Sequence, residues 1–201
     1  MQIMKNSTVS FGRPNMVPFL IPVDYHSTPT CINNPLIVNG ECYKITAMAV
    51  GSAHGAVLVD DIDNFDVPAL GEALGNHPLF PIGANIVFFQ VVDKDTLQAR
   101  LWQQGEGESS FTSEAACVAG ITAMLLRKTI ANKIDVCMGG KTVRVNWDGG
   151  NEEVWLSGPE ELFQVSFDKY PEMNKSYNTF LEMSHVLTRR MRSDSCLSSA
   201  R

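Results

Sequence analysis

"SEAACVAGITAMLLRKT", residues 113–129, is the stretch on which the fold turns. Between Ala115 and Leu126 only Thr122 is polar, so a helix over these residues has no face to give to water and must be surrounded by other elements. Its small residues, Ala115, Ala116, Ala119, Gly120 and Ala123, let strands approach closely on several sides. The architecture this predicts is α+β: antiparallel β-strands wrapped around one central buried helix.

Working outward, the approach to this helix is "GEGESSFTS", residues 105–113, a polar lip punctuated by glycine. Free N–H groups and the positive end of the dipole make a helix N-terminus an anion site, and glycines let a ligand reach the backbone. The same residues are also read as a simple cap, in which Ser and Thr satisfy the helix's own first-turn donors and Glu114 favours the dipole.

Upstream, alternation in YKITAMAV (43–50), AVLVD (56–60), NIVFFQVVD (85–93) and TLQARLW (96–102) predicts four strands. A shorter helix, VPALGEAL, follows Asp66 as N-cap, with Pro68 in its first turn. Downstream, KTVRVNW and EEVWLS flank DGGN and predict a hairpin. After Phe167 the composition changes, and Phe180, Met183, Val186, Leu187 and Met191 recur at helical spacing. These readings give one domain over residues 1–167 and a C-terminal extension over 168–201, an amphipathic helix with a frayed, Ser-rich end.

Bulk properties narrow the function classes. An apolar fraction of 44% with 19% charged residues over 201 residues fits one well-cored domain and excludes wholesale disorder. A net charge of −6 leaves no basic field for a phosphate backbone, so nucleic acid is not an expected partner. No run of 18 apolar residues occurs, and MQIMKNSTVSFGR lacks the apolar core of a signal peptide, so a cytoplasmic protein without membrane association is expected. The five Cys and four His show no ligand spacing, and neither a metal nor a cofactor is expected.

Five stretches in order, VSFGRP (9–14), GSAHGAVLVDDIDN (51–64), HPLFPIGANIVFFQVVD (77–93), WQQGEGESS (102–110) and WDGGNEEVWLSGPEELF (147–163), together resemble the C-terminal half of diaminopimelate epimerase. The resemblance covers residues 9–163. It implies a domain of strands enclosing a central helix, two of which normally sit in one chain with substrate between them. Two Cys, one per half, would move the α-proton on opposite faces.

Carried over residue by residue, the family's site is heavily altered in this chain. Thr112 stands where the resemblance implies the second catalytic Cys, and Ser113 and Glu114 replace the Gly and Thr that follow it. Gln103 and Gln104 replace a Glu-Arg pair. Ser52 and Ala53 replace Asn and Pro ahead of a retained His54, and the substrate-binding Asn85 is kept. Cys117 corresponds to a later Cys inside the helix.

A hydroxyl has no anionic form comparable to a thiolate, and without an arginine a carboxylate is held less firmly. The expected function is therefore an isomerase-like or lyase-like enzyme that moves a proton on a small, amino-acid-like carboxylate without the two-Cys mechanism. The alternative is a non-catalytic single-domain paralogue that binds a ligand or partner subunit. Candidate catalytic residues are His54, Thr112 and Glu114, with Glu106 and Glu108 as other possible replacement bases. Candidate substrate-binding residues are Ser52, Asn85, Gln103, Gln104 and Ser113. A homodimer is expected, because a lone domain exposes the face that the other half would cover.

Overall fold

Ten strands hydrogen-bond into one sheet in a computed structural model that describes residues 6–25 and 27–163. In chain order they are β1 (Asn6–Ser10), β2 (Asn34–Val38), β3 (Glu41–Val50), β4 (Ser52–Leu58), β5 (Asn85–Asp93), β6 (Thr96–Gln103), β7 (Gly107–Ser109), β8 (Lys133–Met138), β9 (Lys141–Trp147) and β10 (Val154–Pro159). Two α-helices interrupt them: α1 (Val67–Gly75) between β4 and β5, and α2 (Ser113–Leu125) between β7 and β8. Across the sheet the order is β1-β10-β9-β8-β6-β5-β4-β3-β2, with β7 paired to β6. All of this lies in the compact unit Met1–Phe163, and the tail helix expected over 168–201 falls outside the described residues.

The sheet is mixed, which corrects the expectation of antiparallel strands throughout. β4 pairs with β5, and β6 with β8, in parallel. Parallel neighbours need a crossover, and the two helices supply it: α1 carries the chain from β4 to β5, and α2 lies on the path from β6 to β8.

The near-continuous apolar run of β5 has a clear cause. Val87 and Phe89 belong to the core around α2, whereas Ile86 and Phe88, pointing the other way, belong to a second core with Val67 and Leu74 of α1. On the α1 side, Gly71 and Gly75 lie one turn apart and make room for Trp102 of β6. A Cβ at either glycine would fall inside that indole.

Helix α2 packs against β3, β4, β5, β6, β8, β9 and β10. Every residue from Ala115 to Ala123 is buried, as its composition demands. Gly120 lies against Val145 of β9, where an added Cβ would stand 2.8 Å from the Val145 Cβ. The helix ends earlier than its apolar sequence predicts. At Arg127 the backbone turns left-handed, φ 54°, while the Arg127 and Lys128 N–H groups donate to the carbonyls of Met124 and Ala123. This is a Schellman closure with Arg where Gly is usual, so the sequence carries no glycine to mark it.

The β9–β10 turn bears out the expected hairpin, with Gly149 and Gly150 both at positive φ. Two tighter hairpins also occur: Asn39-Gly40 joins β2 to β3 and Gly139-Gly140 joins β8 to β9, all four residues at positive φ.

Candidate functional site

Parallel pairing of β4 with β5 sets His54 opposite Asn85 and brings the first residues of both strands to one edge of the structure. Strand β6 runs antiparallel to β5 with Ile86 opposite Trp102, so its end, Gln103 and then Gln104, returns to that edge. The Ser52–His54 segment, Asn85 and Gln104, far apart in sequence, thus meet through strand register.

They form one hydrogen-bonded chain. The Asn85 amide Nδ2 donates to Ser52 Oγ at 3.3 Å and lies 3.4 Å from His54 Nε2. Asn85 Oδ1 accepts from the Gln104 backbone N–H at 3.0 Å, and Gln104 Nε2 donates to Asn76 Oδ1 at 3.0 Å. The Gln104 side chain rests on Gly83, whose φ of 80° and missing Cβ allow the contact. Gln103 pairs with Gly107 of β7, and its carbonyl accepts from the Glu106 N–H.

His54 is 1% exposed. Its Nδ1 lies 2.8 Å from the Ser52 carbonyl, so that nitrogen carries the proton and Nε2 faces the Asn85 amide as acceptor. Burial holds its pKa down to about 4, against a partial opposing effect of the Ser52 carbonyl. At neutral pH the ring is uncharged with both nitrogens engaged.

At the start of α2, Thr112 is extended (φ −135°, ψ 150°) and its Oγ1 accepts from the Ala115 N–H at 3.2 Å, a side-chain N-cap. The Ala116 N–H donates to the Thr112 carbonyl. The Glu114 carboxyl accepts from its own backbone N–H, and burial raises its pKa despite that bond. The Glu114 side chain also reaches the 51–54 segment: a Cβ on Gly51 would lie 3.3 Å from its Cγ. Ser113 is buried, and among the described residues its hydroxyl has no hydrogen-bond partner. One turn on, the Cys117 thiol is sealed in the core, and burial, with Glu114 nearby, pushes its pKa well above the usual thiol value.

The lip itself is fixed from two sides. Arg100 of β6 grips Glu108 through Nε and Nη2 at 2.7 and 3.0 Å, while its Nη1 donates to the carbonyls of Ile62 and Phe65. Glu108 is thereby a strut of the lip. Glu106 is exposed in the turn before β7. On the other side Gly139 abuts Ser110, whose carbonyl a Cβ there would strike, and Lys141 Nζ stands 5.0 Å from the Phe111 ring centroid.

Sequence reading does not find Asn76, Arg100, Gly51 or Gly139. Two of them leave a signal: Arg100 is the single charge in the alternation of TLQARLW, and Asn76 directly follows the last helical glycine of α1, where such residues end helices. Elsewhere, a groove of about 670 Å³ is lined by Val17, Phe19, Tyr25 and Pro81 among others, and by none of the residues linked above. Shape and chemistry therefore point to different places, and the convergence of polar groups is the better guide. Among the described residues no cluster of His, Cys, Asp and Glu could hold a metal ion, and no helix is long and apolar enough to cross a membrane.

A sequence profile described as diaminopimelate epimerase matches residues 46–166. The chain is 33% identical over 157 residues to the diaminopimelate epimerase of Leptospira biflexa, covering 78% of this chain and 55% of that protein. It is 33% identical over 167 residues to that of Cupriavidus taiwanensis, covering 80% and 58%. The chain thus spans little more than half the length of these curated relatives. Among solved structures, a probable proline racemase from Agrobacterium radiobacter aligns with TM-score 0.48 and 12% identity, over 84% of this chain and 56% of that one.

Proposed function

We propose that this chain, which belongs to the diaminopimelate epimerase family, is an isomerase-like or lyase-like enzyme that moves a proton on a small amino-acid-like carboxylate, with Glu114 as the acting base. One observation carries this reading. Glu114 is a half-buried acid with a raised pKa, set against Gly51 at the edge where Ser52, Asn85 and Gln104 converge. A base placed so is tuned toward neutrality, as proton abstraction from carbon requires. The unpaired Ser113 hydroxyl is a donor for the substrate carboxylate in the first turn of α2, while Asn85 and Gln104 line its far end.

Two-thiol epimerisation of diaminopimelate is not part of the proposal. Thr112 offers no thiolate, and Cys117 is sealed in the core with its thiol held protonated. The fold reading that accompanies it is a sheet wrapped around α2, supported by the seven strands the helix touches. A homodimer is proposed as well. In its support, the large apolar side chains of Phe19 and Ile82 are 72% and 76% exposed, the latter three residues before Asn85. Light scattering that gave a 22.1 kDa monomer at micromolar concentration would remove this part.

A second reading, a paralogue that binds without catalysis, is favoured by His54, whose ring is neutral with both nitrogens engaged. One experiment separates the two. The full chain is incubated in deuterated water with a panel of amino acids, and the α-position is followed by NMR. Exchange that disappears in Glu114→Gln is the expected result. Binding without exchange leaves the paralogue reading, and exchange that survives Glu114→Gln removes Glu114 from the chemistry.

A further inference from the structure

We infer that the site selects a ligand whose far end is neutral or cationic, an amide, imidazole or amine, and discriminates against a second carboxylate. This deepens the proposed function and rests on its placement of the site, though not on catalysis.

The charge inventory leads there. Along the chain Ser52, Asn85, Gln104 and Asn76 every group is a neutral hydroxyl or amide. The ring of His54 behind them has its proton on Nδ1, directed at the Ser52 carbonyl. Adjoining this chain through Gly51 is a single acid, Glu114, and among the described residues no cation pairs with it. The cations of the lip are otherwise placed: Arg100 is committed to Glu108 and the Ile62 and Phe65 carbonyls, and Lys141 stands over the Phe111 ring.

A second carboxylate arriving here would leave water for a wall that offers neutral dipoles and a like charge, with no guanidinium fork to receive it. A carboxamide of the same shape meets partners of both kinds. The Gln104 side-chain oxygen accepts, and the second amide group of the pair, Asn76 Nδ2, donates; neither atom is used in the Gln104–Asn76 hydrogen bond. An amine at that end donates to the same Gln104 side-chain oxygen.

The test compares ligand pairs on the full chain by calorimetry: L-glutamine against L-glutamate, matched in shape, and L-lysine against diaminopimelate, which adds a carboxylate to the ammonium-bearing far carbon. The neutral or cationic member of each pair should bind about tenfold tighter, between the bulk-water and near-surface limits for a like charge close by. Glu114→Gln should narrow the gap several-fold, and Gln104→Arg, which restores a fork on the exposed side chain, should reverse the preference. Glutamate or diaminopimelate binding as well as its partner, no binding by any of the four, or a gap unmoved by both variants would each overturn the inference. Proton exchange is read separately, so a site that binds with this preference but exchanges nothing removes the catalytic reading alone.

Discussion

His54 of β4 and Asn85 of β5 stand opposite each other across a parallel pair, with Asn85 Nδ2 3.4 Å from His54 Nε2. With Nδ1 committed to the Ser52 carbonyl, the ring is locked in one tautomer and buried uncharged. A titratable group that must stay neutral to stay folded makes stability depend on pH.

The sign follows from linkage. The folded pKa of about 4 lies below the ordinary 6.5, so as pH falls the unfolded chain takes up this proton first. The contribution of His54 is therefore complete above pH 6.5 and lost as pH drops toward 4, a change of about 3 kcal/mol for a shift of this size. Urea denaturation at intervals between pH 7 and pH 4 should show this loss. The same series on His54→Gln should show a shallower slope; equal slopes in both proteins would mean the ring is not buried neutral.

The four described cysteines should separate by reactivity. Cys42 is exposed and Cys137 partly so, whereas Cys31 and Cys117 are buried and burial raises both thiols. Thiolate character and access together set the rate of alkylation. Iodoacetamide labelling mapped by mass spectrometry should mark Cys42 on the native protein and reach Cys117 only in denaturant. Fast native labelling of Cys117 would reopen a thiol mechanism.

Much of this was legible from residue pattern, and the failures have identifiable causes. The unbroken apolar run from Ala115 required burial, and Asp66 followed by Pro68 marked the start of α1, where Asp66 Oδ1 does accept from the Ala69 N–H. Strand direction is not legible in the pattern, because an apolar run states that a strand is buried, not which way its neighbour runs; that depends on the crossover through α1 or α2. The Asn39-Gly40 turn carries a plain hairpin dipeptide, both residues at positive φ. At the site, motif position singled out Ser52, His54, Asn85 and Gln104, which the register does bring together. Arg100 and Gly139, which fix the lip, come from other strands and show their purpose only when Glu108 and Ser110 are beside them.

Gly71 should not tolerate a methyl group. Alanine in a helix interior gains about 1 kcal/mol over glycine, but here the new Cβ would enter the Trp102 ring, which is itself buried. Overpacking of this kind costs about 1–3 kcal/mol, so Gly71→Ala should be destabilised on balance, as read by a lower denaturation midpoint. A midpoint equal to or above that of the unmodified chain would mean that α1 does not sit on Trp102 in this way.

Thr112 offers the sharpest separation of a structural from a chemical role at the head of α2. Its Oγ1 takes the Ala115 N–H, so Thr112→Ala leaves a first-turn donor without its partner and should cost about 1 kcal/mol. Serine keeps the oxygen, and Thr112→Ser should therefore hold stability within a few tenths of a kcal/mol. Thr112→Cys installs a thiol at a helix N-terminus, where thiolates are favoured, but supplies only one of the two groups that two-base epimerisation needs. It should lose part of the cap and gain no exchange of the diaminopimelate α-proton. If alanine is as stable as threonine, the cap is not what this residue contributes. If the cysteine variant begins to exchange diaminopimelate, the position is a working catalytic station, and the chemistry assigned to Glu114 must be reassigned to it.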